Sequence, residues 1–86
     1  MKIKNIQKVE ERRKEKQAFA KKLGDHLRKV RNKVGKSQED LSMDAGYYRT
    51  YVGKIEQGHY SPSAHTIWRL AHTLGMSLDE FFEGFK

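Results

Sequence analysis

Eighty-six residues with a formal net charge of +7 and no cysteine make one small domain, which buries roughly 60 % of the surface its unfolded chain exposes and has no room for a large enzyme cleft. The missing cysteine excludes disulfides, thiolate metal sites and a cysteine nucleophile; no run approaches the ~18 apolar residues of a membrane span and the N-terminus lacks a signal-peptide stretch, so a cytoplasmic protein is expected. Seven basic and three acidic residues fall in 1–17, nine and five in 18–58, and two and three in 59–86, a bias toward nucleic acid or an anionic membrane surface that the C-terminal third does not share.

In chain order, residues 1–17 place Ile3, Ile6 and Val9 at three-residue intervals and then run EERRKEK. Such a charge run reads as a solvated helical extension or frayed arm, with a phosphate-tracking arm or a dimer contact through the three apolar residues as the sharper alternatives. The domain proper is expected over 18–86. Phe19, Leu23, Leu27, Val30 and Val34 form one stripe of an amphipathic helix ending at Gly35, and the stripe is expected in the core. Gly24 weakens that helix by up to about 1 kcal/mol relative to Ala, which suggests close packing against a neighbour.

Ser37 is an N-cap residue with Asp40 three positions on, as in a capping box, and Leu41 and Met43 give the short helix that follows an apolar side. Gly46 can turn the chain in the left-handed conformation. A second helix is expected over Tyr48 to Gln57, with Tyr48, Val52 and Ile55 on one face and Gly58 as its stop. Two short helices joined by a tight turn over 37–58 make a helix-turn-helix pattern. After the polar loop HYSPS, a helix from about Ser63 to Leu74 should bury Ile67, Leu70, Ala71 and Leu74, with Trp68 beside that face. Ser77 then caps a last turn carrying Leu78, Phe81 and Phe82.

The segment SQEDLSMDAGYYRTYVGKIEQG (37–58) resembles the lambda-repressor/Cro-like (XRE) helix-turn-helix family through Ser37, Gln38, Leu41, Gly46, Val52, Ile55, Glu56 and Gly58. The resemblance continues upstream in LGDHLRKVRNKVG and downstream in SPSAHTIWRLAHTLGMSLDEFF. It implies an all-α, five-helix domain with a charged N-terminal extension. Ser42 stands where the family has Ala, Gly53 where it has Ser, and Tyr48 where it has the Ser or Thr cap of the recognition helix. Losing such a cap typically costs about 0.5 to 2 kcal/mol.

The resemblance implies an ion pair between Arg31 and Glu56 that locks the first helix to the end of the recognition helix. It also implies base contacts from Arg49, Thr50 and Lys54. A guanidinium can pair with guanine O6 and N7, and a threonine offers a hydroxyl and a methyl for thymine. Gln38 corresponds to the family's phosphate-binding Gln, at a helix N-terminus suited to anions. Tyr51 is a candidate shape or backbone contact; Lys36, Tyr48, His59 and Tyr60 are candidate backbone contacts, with an ordinary surface role as the alternative for each and packing against the C-terminal helices as a further one for Tyr60. Trp68, Phe82 and Phe85 exceed the apolar area a small monomer needs to expose, which marks an interface, and the resemblance implies that it is a two-fold homodimer contact; the alternative is that all three are core.

No metal or cofactor is expected. His65 and His72 are seven apart, where zinc sites on a helix prefer four, and nothing completes a ligand set. No strained nucleophile turn or Gly-rich phosphate loop is present, so an enzyme is not expected. The expectation is a DNA-binding transcriptional regulator of repressor or controller type, a homodimer on a palindromic double-stranded DNA operator. The competing expectation is an antitoxin-like interaction protein that holds a toxin partner and binds DNA for autoregulation.

Overall fold

A computed structural model describes the backbone of residues 3–86 and the side chains of residues 5–86. Among these residues there are five helices and no strand: α1 (Ile3–Val34), α2 (Gln38–Asp44), α3 (Tyr51–Glu56), α4 (Ala64–Thr73) and α5 (Leu78–Phe81). This is the all-α, five-helix arrangement that the resemblance implies, with α2 and α3 as the helix-turn-helix. Helix α1 continues unbroken from the charged extension into the domain. The side chain of Ile3 lies outside the described residues; Ile6 and Val9 are exposed.

Capping sets the short helices. The Ser37 hydroxyl accepts from the Asp40 N–H at 2.9 Å, and Ser63 accepts from the Thr66 N–H at 3.1 Å, each satisfying a donor that a helix start would leave orphaned. The reciprocal bond of a capping box forms at α5, where Ser77 and Glu80 each receive the other's backbone N–H. At the end of α2, Gly46 takes φ +87°, which lets Tyr47 N–H return to the Ser42 carbonyl at 2.9 Å and turns the chain toward α3.

The core forms where α1 crosses α3 while α2 packs on α3 and α4. Leu23, Leu27 and Val30 meet Leu41, Val52 and Ile55, and Ile67, Leu70, Ala71, Leu74 and Phe81 complete the cluster. Buried His26 pins α5 to α1. Its Nε2 faces the Phe81 carbonyl, which can only accept, so this nitrogen carries the proton, and its ring lies among those of Phe81, Phe82 and Phe85.

Four apolar expectations need correction. Phe19 and Val34, at the two ends of the α1 stripe, are exposed; Phe19 sits at the rim against the Phe85 ring at 5.7 Å, and Val34 is in the last turn of the helix, before the chain turns at Gly35. Met43 is 58 % exposed while Leu41 is fully buried, because two residues on a helix point about 200° apart. Tyr48 is exposed because the expected helix over 48–57 begins only at Tyr51. Tyr48 to Tyr51 is a turn, closed by Tyr51 N–H on the Tyr48 carbonyl at 3.0 Å.

Candidate nucleic-acid interface

Helix α3 is short and half-buried, and its inner side is anchored. Val52 and Ile55 are fully buried. Its N-cap residue, Thr50, makes no side-chain capping bond, and Tyr48 lies two residues before that position. The missing acceptor comes from α2. Ser42, fully buried, receives the Val52 N–H on its hydroxyl oxygen at 3.0 Å and donates to the Gln38 carbonyl at 2.8 Å. The hydroxyl thus joins the start of the recognition helix to the helix before it, a role that the sequence comparison of Ser42 with Ala did not suggest.

The far end of α3 is held by charge. Glu56, 2 % exposed, accepts from Arg31 Nε at 2.7 Å and Arg31 Nη2 at 3.0 Å, from Arg28 Nε at 3.3 Å and from Gln38 Nε2 at 2.9 Å. Arg31, 8 % exposed, also donates through Nη1 to the Lys36 carbonyl at 2.8 Å. The hydrogen bond to Glu56 raises the Arg31 pKa above its ordinary value, against the opposing pull of burial. Every donor around the carboxylate is fixed by it, so the pair orients α1, α2 and α3 together. Gln38 spends one of its two amide hydrogens on Glu56 and keeps one for another acceptor.

Gly53 has a reason the sequence did not show. A Cβ there would lie 3.2 Å from Gln38 Oε1, so the glycine makes room for the Gln38 side chain between α2 and α3.

On the outer side, Arg49 and Thr50 occupy the turn that enters α3 rather than the helix itself, and both are exposed. Arg49 makes no hydrogen bond among the described residues. Lys54 is exposed on α3, with its ammonium 5.6 Å from the centre of the Tyr48 ring, and Tyr48 meets Tyr51 edge-on at 5.5 Å. Tyr51 in turn stacks on Tyr47 at 4.4 Å and lies 5.7 Å from Tyr60. Arg49, Thr50, Lys54, Tyr48 and Tyr51 therefore share the surface at and just before α3.

The remaining candidates are more scattered. Lys36 is engaged in an ion pair with Asp44. His59 is exposed in the loop that leaves α3. Tyr60 packs against the core, and its hydroxyl is buried without a well-formed hydrogen bond among the described residues. Burial first, then the neighbouring Tyr48 and Tyr51 hydroxyls, push its pKa up.

The three aromatic residues of the expected dimer contact separate into two groups. Phe82 and Phe85 are half-buried and pair with each other at 5.4 Å beside His26. Trp68 is 48 % exposed on α4, stacked between His72 at 5.3 Å and His65 at 6.2 Å. An apolar trough lined by Phe19, Ile67, Leu78 and Phe82 opens alongside α4 and α5. Among the described residues no three His, Asp or Glu side chains gather as metal ligands, and no helix is long and apolar enough to cross a membrane.

A family model described as helix-turn-helix matches residues 27–81. Among curated proteins, the chain is 30 % identical over 55 residues to the uncharacterized HTH-type transcriptional regulator y4dJ of Sinorhizobium fredii, covering 64 % of this chain and 71 % of that one. It is 34 % identical over 61 residues to the SPbeta prophage-derived uncharacterized HTH-type transcriptional regulator YonR of Bacillus subtilis, covering 71 % of this chain but only 56 % of the relative. Among solved structures, the restriction-modification controller protein C.AhdI from Aeromonas hydrophila superposes with a TM-score of 0.71 at 38 % identity, covering 77 % of this chain and 96 % of that one.

Proposed function

The chain belongs to the XRE-type helix-turn-helix family of non-enzymatic DNA-binding transcriptional regulators, and from that premise we propose that it is a repressor or controller acting as a homodimer on a palindromic operator in the cytoplasm. The observation that carries this reading is the exposed surface at α3. Arg49 and Thr50, in the turn that enters α3, and Lys54, on α3 itself, are free of intrachain ion pairs among the described residues, and the helix they flank is fixed at both ends, by Ser42 and by Glu56. A rigid helix that presents unspent donors meets the major groove with little ordering cost.

Base reading falls to Arg49, Thr50 and Lys54. Backbone positioning falls to Gln38, through its second amide hydrogen, and to Tyr48, Tyr51 and His59 around it; Lys36 joins only by leaving Asp44, and Tyr60 supports Tyr51 from behind. Trp68 on α4, and separately Phe82 and Phe85, with Phe82 lining the apolar trough, are the groups offered to a second copy. Two recognition helices related by a two-fold axis then enter successive major grooves about 34 to 36 Å apart.

Selection of random duplex DNA by the purified protein, with sequencing of what is retained at near-physiological salt, tests this. The expected result is a palindrome with half-sites about one turn apart. Arg49→Ala should then relax preference at one base position and weaken binding by roughly 1 to 3 kcal/mol, whereas Gln38→Ala should weaken all sequences alike. Retention with no enriched sequence would overturn the operator reading and favour a regulator whose main partner is a protein held at the Trp68 surface.

A further inference from the structure

Helix α1 is longer than the domain beneath it. Its buried residues begin at Ala20, and the preceding turns, from Asn5 to Phe19, are all exposed. With about 100° per residue, the 4-3-4-3-4 spacing of Val9, Arg13, Lys16, Ala20, Leu23 and Leu27 is one continuous stripe. The stripe that is core at Ala20, Leu23 and Leu27 emerges from the domain edge as a basic one.

We propose that this overhanging half of α1 is a second DNA-backbone surface, in which Arg12, Arg13 and Lys16, with His59 across a cleft, hold phosphodiester groups beyond the stretch read by α3. The inference rests on the DNA-binding reading above and extends its footprint. One cleft and the helix face beyond it establish the continuity. Lys16 lines the cleft with His59 and Ser61 of the loop that leaves α3, and Val9, Arg12 and Arg13 lie next to Lys16 on the exposed face of α1. The basic stripe therefore joins the recognition helix through its own exit loop.

The polar inventory of the cleft suits a phosphate. Ser61 Oγ is out of contact with solvent, so the groups that meet a phosphate there are the Lys16 ammonium and the His59 ring, both exposed, and charge-assisted bonds to an anionic oxygen are the strong ones. On the helix face beyond it, Arg13 Nη2 donates to Glu10 at 2.8 Å across one turn, with both side chains exposed. A pair of this kind yields little free energy, so phosphate can displace the carboxylate. The helical period turns Glu11 and Glu15 away from the stripe.

Charge also selects the occupant. Three of the four neighbouring residues Val9, Arg12, Arg13 and Lys16 on this face are basic, and a second copy of the same stripe would bring like charges together, whereas a polyanion is attracted and releases counterions.

The test compares the full-length protein with Arg12→Ala/Arg13→Ala/Lys16→Ala on the duplex enriched by selection and on a random-sequence duplex, as salt rises from about 50 to 200 mM. Alanine keeps the overhang helical, which circular dichroism checks. Each phosphate contact contributes about 0.9 to the slope of log affinity on log salt, so the triple variant should flatten it by roughly 2 to 3, with base preference unchanged. The control, Lys14→Ala/Lys29→Ala, removes exposed charges that the helical period places on the opposite side of α1 and should leave the slope as it was.

An unchanged slope in the triple variant overturns the proposal. So does an equal loss per charge from the control, which would mean diffuse attraction rather than a site. An unchanged slope with weakened self-association, read by sedimentation, would assign the stripe to a second copy. Should the wild type enrich no sequence, the operator reading fails by itself, and the slopes on random duplex still decide this one.

Discussion

Ser42 carries two hydrogen bonds inside the core, and its substitution by alanine, the residue the family resemblance leads one to expect, separates volume from polarity. Ser42→Ala removes no more than an oxygen, yet it strands the buried Val52 N–H that Ser42 accepts at 3.0 Å. A buried donor left unpaired costs about 1 to 3 kcal/mol. Denaturant melts should show that loss, and hydrogen exchange should show it concentrated at the first turn of α3; a variant as stable as the parent would mean that Val52 N–H finds water or another acceptor. Glu56 makes a larger case. Glu56→Gln keeps one carbonyl oxygen for Arg31 but removes the charge that balances a guanidinium 8 % exposed, and breaking such a pair costs about 3 to 5 kcal/mol, the lower end applying where one acceptor survives. At about 4 to 8 °C per kcal/mol for a domain of this size, the melting temperature should drop by more than about 10 °C. A shift of one or two degrees would show that the carboxylate is not what holds α1 and α3 together. The Arg31–Glu56 contact was legible in the sequence as an inherited pairing. The Ser42 contact was not, because a serine in place of alanine looks like a small change until the residue ten positions later is seen to need an acceptor.

At the scale of elements, Gly24 sets how closely α1 and α3 approach. Propensity alone says that Gly24→Ala stabilises α1 by up to about 1 kcal/mol. The crossing says otherwise. A Cβ at Gly24 would collide with the Ile55 carbonyl oxygen and lie 2.9 Å from that of Glu56, and both are backbone atoms of the recognition helix that cannot swing aside. Overpacking of this kind costs about 1 to 3 kcal/mol, so the variant should be net destabilised and should displace the end of α3 that Glu56 anchors. Thermal melts check the first effect and weaker DNA binding the second; a more stable protein would show that the crossing has slack. Helix ends were readable wherever a local cap acts, as at Ser37, Ser63 and Ser77. The start of α3 was not readable, since its capping acceptor lies on another helix and Tyr48 to Thr50 continue the turn.

On the scale of the molecule, the chain measures 49 × 26 × 18 Å, with the overhang of α1 extending beyond the domain. The charge distribution along the sequence already separated a basic first two thirds from a near-neutral remainder, and that asymmetry argues for DNA on one side and a protein surface on the other. Caps, glycine turns and the 3.6-residue period located the helix-turn-helix, because they act within a few residues of chain, while the five-helix fold and the class of function came from the family resemblance of the motif and its flanks. Tertiary structure alone decided which apolar residues are core. Phe19 and Trp68 have the same side-chain chemistry as their buried neighbours, and only the way the helices come to rest around α1 and α4 leaves them at the surface, whereas the exposure of Met43 follows from the helical period alone. It also decided what Gly53 and Ser42 are for, since each answers to a group on the facing helix. Contacts between residues distant in sequence depend on where whole helices come to rest, and no local pattern encodes that position.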